Sequence, residues 1–152
     1  MTNEELKNKL SGWYNDLRFS ETGTYLNVEV PPKNLKSLAE KLKSDPDCAF
    51  NYLFCYTGVD FGEELGVMVH LESTAFRHIL VLTTKTSDRE NPELDSLHEI
   101  WPAAFLQEME VFDFFGIKFK GHPHLKRLFM GEDWKGYPLR KDYVDNVNMI
   151  IR

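Results

Sequence analysis

Residues 64–86 read ELGVMVHLESTAFRHILVLTTKT, and their reading decides the fold. Leu65, Val67, Val69 and Leu71 alternate with other residues, the period-2 pattern of a strand with one buried face. A β-branched run follows at once in 77–86. The link between them is short. A parallel crossover needs about a dozen residues or more, so these two strands are expected to be antiparallel neighbours. Upstream, AFNYLFCY (49–56) is a third strand candidate, joined to the second by a turn rich in glycine at Gly58, Gly62 and Gly66.

Working outward, Thr2 with Glu5 forms a capping-box signature. Leu6, Leu10, Trp13 and Leu17 then lie on one helical stripe, broken at 21–23. TYLNVEV (24–30) alternates as a half-buried strand and ends at Pro31–Pro32. Pro32 suits the first position of a second helix, which carries Leu35, Leu38, Ala39 and Leu42 on one face and stops near Asp45–Pro46. Residues 87–96 are polar and read as a loop. Residues 97–115 read as a helix, with Pro102 near its start and Gly116 as its stop. IKF (117–119) is a short strand candidate.

The expectation is an α+β fold: a two-layer arrangement with a small mixed or antiparallel sheet, helices on one face, and an extended C-terminal tail. Residues 1–120 form the α+β domain. Residues 121–152 form a basic, aromatic arm belonging to the same domain. Leu125, Leu128, Phe129, Trp134, Tyr137, Leu139 and Tyr143 make that arm too apolar for a solvated linker.

The net charge is −6, which argues against a nucleic-acid partner. It is unevenly spread: residues 1–115 balance at −10 and residues 116–152 at +4. No apolar run is long enough to cross a membrane as a helix. The polar N-terminus is no signal peptide, which points to the cytoplasm or the cytoplasmic face of a membrane reached through a partner. Cys48 and Cys55 are expected to be reduced and structural. They are too few for an ordinary iron–sulfur cluster.

One stretch resists the simple reading. EMEVFDFF (108–115) sets Glu108, Glu110 and Asp113 among large apolar side chains. In a helix, Glu110 and Asp113 share a face, while Glu108 and Glu110 lie ~200° apart. The trio is expected to pair with basic residues or backbone N–H groups at a packed junction, with Arg127, Arg140 and Lys141 as candidate partners. A carboxylate hydrolase needs two acids flanking a cleft and is the weaker reading. The H-x-H of His122 and His124 is too sparse for zinc, and His122 is expected to be hydrogen-bonded. No dinucleotide fingerprint, phosphate loop, zincin motif or nucleophile elbow is present.

The run EMEVFDFFGIKFKGHPHLKRLF followed by GYPLRKDY closely resembles the 30-kDa subunit family of respiratory complex I, the NADH-quinone oxidoreductase, with relatives in energy-converting hydrogenases. Glu108, Glu110, Asp113, Phe114, Phe115, His122 and Lys126 fall at its hallmark positions. Gly136, Pro138, Leu139, Arg140, Lys141 and Asp142 match its G-x-P-L-R-K-D element. TGVDF (57–61) and WPAA (101–104) also look like family positions. Met109 stands where the family prefers Arg, and the chain ends soon after RKDY. The resemblance implies a structural subunit with no catalytic residues, flavin, iron–sulfur cluster or quinone of its own. It implies docking on a hydrogenase-like large subunit that helps form the quinone site, beside iron–sulfur subunits, with membrane association only through the complex. An equivalent place in a ferredoxin-driven or hydrogenase-type complex is the alternative. The interface residues it suggests are Glu108, Glu110, Asp113, His122, Arg127, Trp134, Tyr137, Pro138, Leu139, Arg140 and Lys141.

Overall fold

The computed structural model describes residues 1–145 and 147. Helix α1 (Asn3–Trp13) opens with the expected capping box: the Glu5 N–H donates to Thr2 Oγ1 at 3.2 Å and the Thr2 N–H to Glu5 Oε2 at 2.7 Å. It ends one turn earlier than the stripe through Leu17 suggested. Asn15 and Asp16 are poor helix formers, and the Asp16 carboxylate instead accepts from the Asn34 side chain. The residues after it form a strand the sequence reading missed, β1 (Arg18–Thr22). It turns through Gly23 (φ 72°) into β2 (Tyr25–Glu29), with Thr22 opposite Tyr25. Helix α2 (Pro32–Ser44) starts at Pro32 and buries Leu35, Leu38, Ala39 and Leu42, as the pattern requires.

Strands β3 (Tyr52–Asp60), β4 (Leu65–Ser73) and β5 (His78–Thr86) follow as antiparallel neighbours. β5 then pairs parallel to β2, the long crossover passing through α2 and the β3–β4 hairpin. The sheet order is β1-β2-β5-β4-β3. Within 87–96, read as loop, lies β6 (Glu93–Asp95). It pairs parallel with β7 (Lys118–Lys120) in a separate two-stranded ribbon. Helix α3 (Ala104–Phe115) is shorter than expected, because residues 97–103 form turns. Its stop is Gly116, in the left-handed conformation at φ 74°.

The register puts Leu26 beside Leu80 and Leu71, and Val28 beside Leu82 and Val69, on one face of the sheet. That face joins Leu6, Leu10, Leu35, Leu42, Val111 and Phe115 from the three helices in a single core. The opposite face carries Tyr25, Tyr52, Phe54 and the free thiol of Cys55 and packs no helix among the described residues. Cys48 is a buried free thiol in the core.

α3 reaches the sheet through Gly58. A Cβ there would sit 2.5 Å from Phe115 Cδ2 and 3.0 Å from Val111 Cγ1. The absent side chain therefore sets how close helix and strand can come. Gly58→Ala is expected to destabilise the fold by about 1–3 kcal/mol through this overlap, measured as a lower denaturation midpoint in urea. An unchanged midpoint would mean that the Phe115 ring can move aside.

Candidate functional site

α3 is apolar nearly all round, and its last turn is covered by the C-terminal arm. The helix leaves four terminal carbonyls without intrahelical partners. All four are satisfied. The Gly116 N–H donates to Phe112 O at 2.8 Å. Arg127 Nη1 donates to Asp113 O at 3.0 Å. The Leu139 N–H donates to Phe114 O at 3.1 Å. Arg140 Nε donates to Phe115 O at 2.6 Å. Two of the donors are guanidinium groups at a helix C-terminus, where the macrodipole favours positive charge.

Asp113 is fully buried and binds the same arm from the side. Its Oδ1 accepts from Arg127 Nη1 at 3.2 Å. Its Oδ2 accepts from three consecutive backbone N–H groups, Leu128 at 3.1 Å, Phe129 at 2.7 Å and Met130 at 3.1 Å. Burial pushes the carboxyl upward, but the Phe129 and Met130 amides, Arg127 and the Leu128 amide outweigh it and hold Asp113 below the usual carboxylate range. Arg127 Nη2 also donates to the carbonyls of Trp134 (3.2 Å) and Gly136 (2.8 Å).

Tyr137 packs between these anchors. The guanidinium carbons of Arg127 and Arg140 lie 4.9 and 4.8 Å from its ring centroid. Its Cε2 would be 2.5 Å from a Cβ at Gly116, so position 116 needs glycine twice, for its φ and for this contact. Further along, Asp60 closes the arm onto β3. Its carboxylate accepts from Arg89 at 2.8 and 3.0 Å, from the Gly62 N–H at 2.9 Å and from the Lys141 N–H at 2.9 Å. Arg89 above all, then the Lys141 and Gly62 amides, hold Asp60 well below the usual range despite its burial.

Glu108 is fully buried on another side of α3. Its carboxylate takes the Leu97 N–H at 2.7 Å and the Ser96 hydroxyl at 2.6 Å. Ser96 Oγ in turn lies 2.9 Å from His98 Nδ1. No Lys or Arg among the described residues pairs with it. Burial pushes the Glu108 carboxyl up to about 7, partly offset by the Leu97 amide and the Ser96 and Tyr56 hydroxyls. Burial and the Glu108 charge raise the Tyr56 phenol well above its ordinary value.

The three acids do not sort as helical phase suggests, with Glu110 and Asp113 on one side and Glu108 on another. Glu108 and Asp113 are both buried, while Glu110 is exposed and has no hydrogen bond or ion pair among the described residues. Phase assigns one buried stripe to a helix, whereas α3 is covered by the sheet, by the turn at 96–101 and by the arm. The partner expectations are corrected too. Arg127 does meet Asp113, but the Arg140 guanidinium goes to the Phe115 and Arg89 carbonyls, and Lys141 contributes its backbone N–H while its side chain is exposed. His122 Nδ1 accepts from the His124 N–H at 3.1 Å, so Nε2 carries the proton and donates to Phe105 O at 2.9 Å. Trp134 and Pro138 are half-buried, and Leu139 is 55% exposed. Asp60, Arg89, Ser96 and Leu97 were not expected at the site.

Asp113→Ala strands Arg127 and three part-buried backbone amides and is expected to cost about 3–5 kcal/mol. Faster hydrogen exchange in residues 127–141 than in the β3–β5 amides would mark loss of the arm, and uniform exchange would overturn this anchoring. For Glu108, the folded state keeps its proton above the ordinary value of 4.5, so stability is greatest below that pH and falls as pH rises toward about 7. In Glu108→Gln, the fall in Tm between pH 5 and 8 is expected to flatten. An identical slope in both proteins would show that Glu108 does not titrate there.

The comparisons with known proteins agree with this architecture. A family profile described as "Respiratory-chain NADH dehydrogenase, 30 Kd subunit" matches residues 28–147. An NADH-quinone oxidoreductase subunit of Roseiflexus castenholzii is 46% identical over 120 residues, covering 77% of this chain and 68% of that protein. An NAD(P)H-quinone oxidoreductase subunit of Prochlorococcus marinus is 37% identical over 155 residues, covering 93% and 88%. A longer NADH-quinone oxidoreductase protein of Phocaeicola vulgatus is 47% identical over 122 residues, and the match takes in 80% of this chain and 23% of that protein. Among solved structures, a chain of the membrane-bound sulfane sulfur reductase, an archaeal respiratory membrane complex, has a TM-score of 0.78 over 95% of this chain and 86% of that one. At 23% identity that likeness is one of fold. By its profile match and these relatives, the chain belongs to the family of the respiratory-chain NADH dehydrogenase 30-kDa subunit.

Proposed function

We propose that this chain is a non-catalytic structural subunit in the hydrophilic arm of a membrane-bound NADH:quinone oxidoreductase, docking on the large subunit that helps form the quinone site. The observation that carries the proposal is the C-terminal arm. Asp113, Arg127, Tyr137 and Arg140 fix its backbone on α3, yet it turns large apolar side chains outward: Phe129 is 67% exposed, Leu139 55% and Leu128 38%. Side chains held rigidly outward in this way suit a permanent interface between subunits, whose core resembles a divided protein interior. The flavin, iron–sulfur clusters and quinone belong to the partner subunits in this reading. No helix among the described residues is long and apolar enough to cross a membrane, and attachment at the cytoplasmic face runs through the complex in the same reading.

The fold likeness to a chain of another respiratory membrane complex supports a second reading, the same structural place in a complex with a different donor and acceptor. The hydrolase reading loses its geometry. Glu108 and Asp113 are each buried and bound on different sides of α3, and they flank no common cleft among the described residues. Affinity purification of the chain from gently solubilised membranes of its native source tests the proposal. A hydrogenase-like large chain and iron–sulfur chains are expected to co-purify. Recovery of the chain alone would overturn it.

A further inference from the structure

The two edges of the five-stranded sheet differ. β1 is five residues long and carries Arg18 and Glu21, the short charged form that resists edge-to-edge pairing. β3 is nine residues long, and from Tyr52 to Val59 it has no charged side chain. Its exposed members are Tyr52, Phe54 and Thr57, two of them aromatic. Tyr52 is 51% exposed and Phe54 39%, their rings stack at 6.0 Å, and Phe54 meets His70 edge-on at 5.7 Å. A long, uncharged edge is a pairing template, which native proteins cover or blunt; a register shift between Leu53 and Cys55 interrupts this one, and Cys55–Val59 pair regularly after it.

The backbone of this edge holds groups without hydrogen-bond partners among the described residues, at Tyr56, which is 6% exposed, and at Gly58, which is half-buried. The Phe61 N–H donates to Glu64 O at 2.9 Å, so residues 61 and 64 form a hydrogen-bonded pair at the hairpin end. Antiparallel pairs alternate, which directs the N–H and C=O groups of Tyr56 and Gly58 away from β4. Among the described residues, no backbone hydrogen bond beyond the sheet's own involves residues 52–59, and no side chain bonds their backbone. Beside this edge lies a cleft of about 140 Å³ between β3 and α3, lined by Tyr56, Gly58, Val111, Phe114 and Leu139. A cavity of about that size in another protein core holds one benzene ring. Glu110 stands in the same lining, exposed and unpaired among the described residues.

We propose that the β3 edge binds an extended segment of a partner protein of the complex, which adds as a sixth strand, seats one apolar side chain in the cleft and sets a Lys or Arg against Glu110. This rests on the structural-subunit reading and adds the surface by which the partner is held. Open backbone groups in a row recognise an extended peptide by main-chain hydrogen bonds, while the neighbouring cleft selects its side chain. A second copy of this chain suits the edge less well, because residues 52–59 of its own β3 bring no cation to Glu110.

Hydrogen exchange of the free chain and of the complex purified from native membranes tests the proposal without any substitution. The Tyr56 and Gly58 amides are expected to exchange faster in the isolated chain than in the complex. A Phe54→Lys/Thr57→Lys double variant places charge on the exposed edge. It is expected to keep the thermal unfolding transition of the isolated chain while recovering its partners about thirtyfold less well, the loss of a central interface anchor. If the partners co-purify but these amides exchange as in the free chain, the edge proposal falls and the subunit reading stands. Recovery of no partner overturns both. Edge protection in an isolated homodimer, lost in the double variant, would make the occupant a second copy and overturn the proposal.

Discussion

Four carbonyls at the end of α3 have to find donors in a place largely closed to water, and the C-terminal arm takes its course from that requirement. Gly116, Arg127, Leu139 and Arg140 each supply one donor. Between them the chain loops out and back, and the loop is held by Asp113 through three successive amides. A buried carboxylate and a helix C-terminus both carry negative charge, so the segment that covers them has to be basic. The +4 balance of residues 116–152 against −10 for the rest is in part the sequence record of this contact. As far as residue 145, the arm is therefore an ordered extension of the core although it has no regular secondary structure after β7 among the described residues.

The same helix holds two buried carboxylates in opposite protonation regimes. Asp113 meets four donors, one of them a guanidinium, and stays ionised. Glu108 meets an amide and a hydroxyl beside a phenol, without a Lys or Arg partner among the described residues, and is raised to about 7. In enzymes, carboxylates whose environments push their pKa values apart often divide acid and base roles. Here each carboxylate is bound to backbone N–H groups on a different side of α3, so the divergence reflects two separate anchoring tasks, the 96–97 turn for one and the arm for the other.

What could be read from the residues was whatever one-sided burial writes into alternation or helical phase. β2, β4 and helix α2 from Pro32 follow that rule, whereas β5, buried on both faces at its centre, is legible as a β-branched run, and the stop at Gly116 through the left-handed conformation that glycine allows. β1 escaped because Leu17 continues the apolar stripe of α1, and an edge strand with Arg18 and Glu21 shows little alternation. β6 escaped because three residues in a polar stretch carry too little pattern, although Leu94 is buried between them. The acids were misassigned because α3 has more than one buried side. Arg140 was placed on a carboxylate because side-chain patterns record charges, whereas its real acceptors are main-chain carbonyls that every residue possesses. Asp60 and Arg89 sit in stretches that gave no hint of meeting, since their pairing depends on the β3–β4 turn approaching the loop before β6.

Replacing the Asp113–Arg127 pair and its amides by apolar side chains could leave a core of equal or greater stability, since desolvation offsets much of a buried pair's attraction. Direction is what the polar version adds. Three N–H groups converging on one oxygen, and a guanidinium fork shared among Asp113, Trp134 and Gly136, admit one path for residues 127–136. A greasy contact of the same area would tolerate several. For a segment that presents Phe129 and Leu139 outward, a unique path matters more than a deeper minimum, because interface anchors contribute only when they arrive already in place. Met109, which is 2% exposed and stands where the family resemblance prefers Arg, does not disturb this logic. It is an apolar side chain in an apolar place, and the cations that fix the arm come from Arg127 and Arg140.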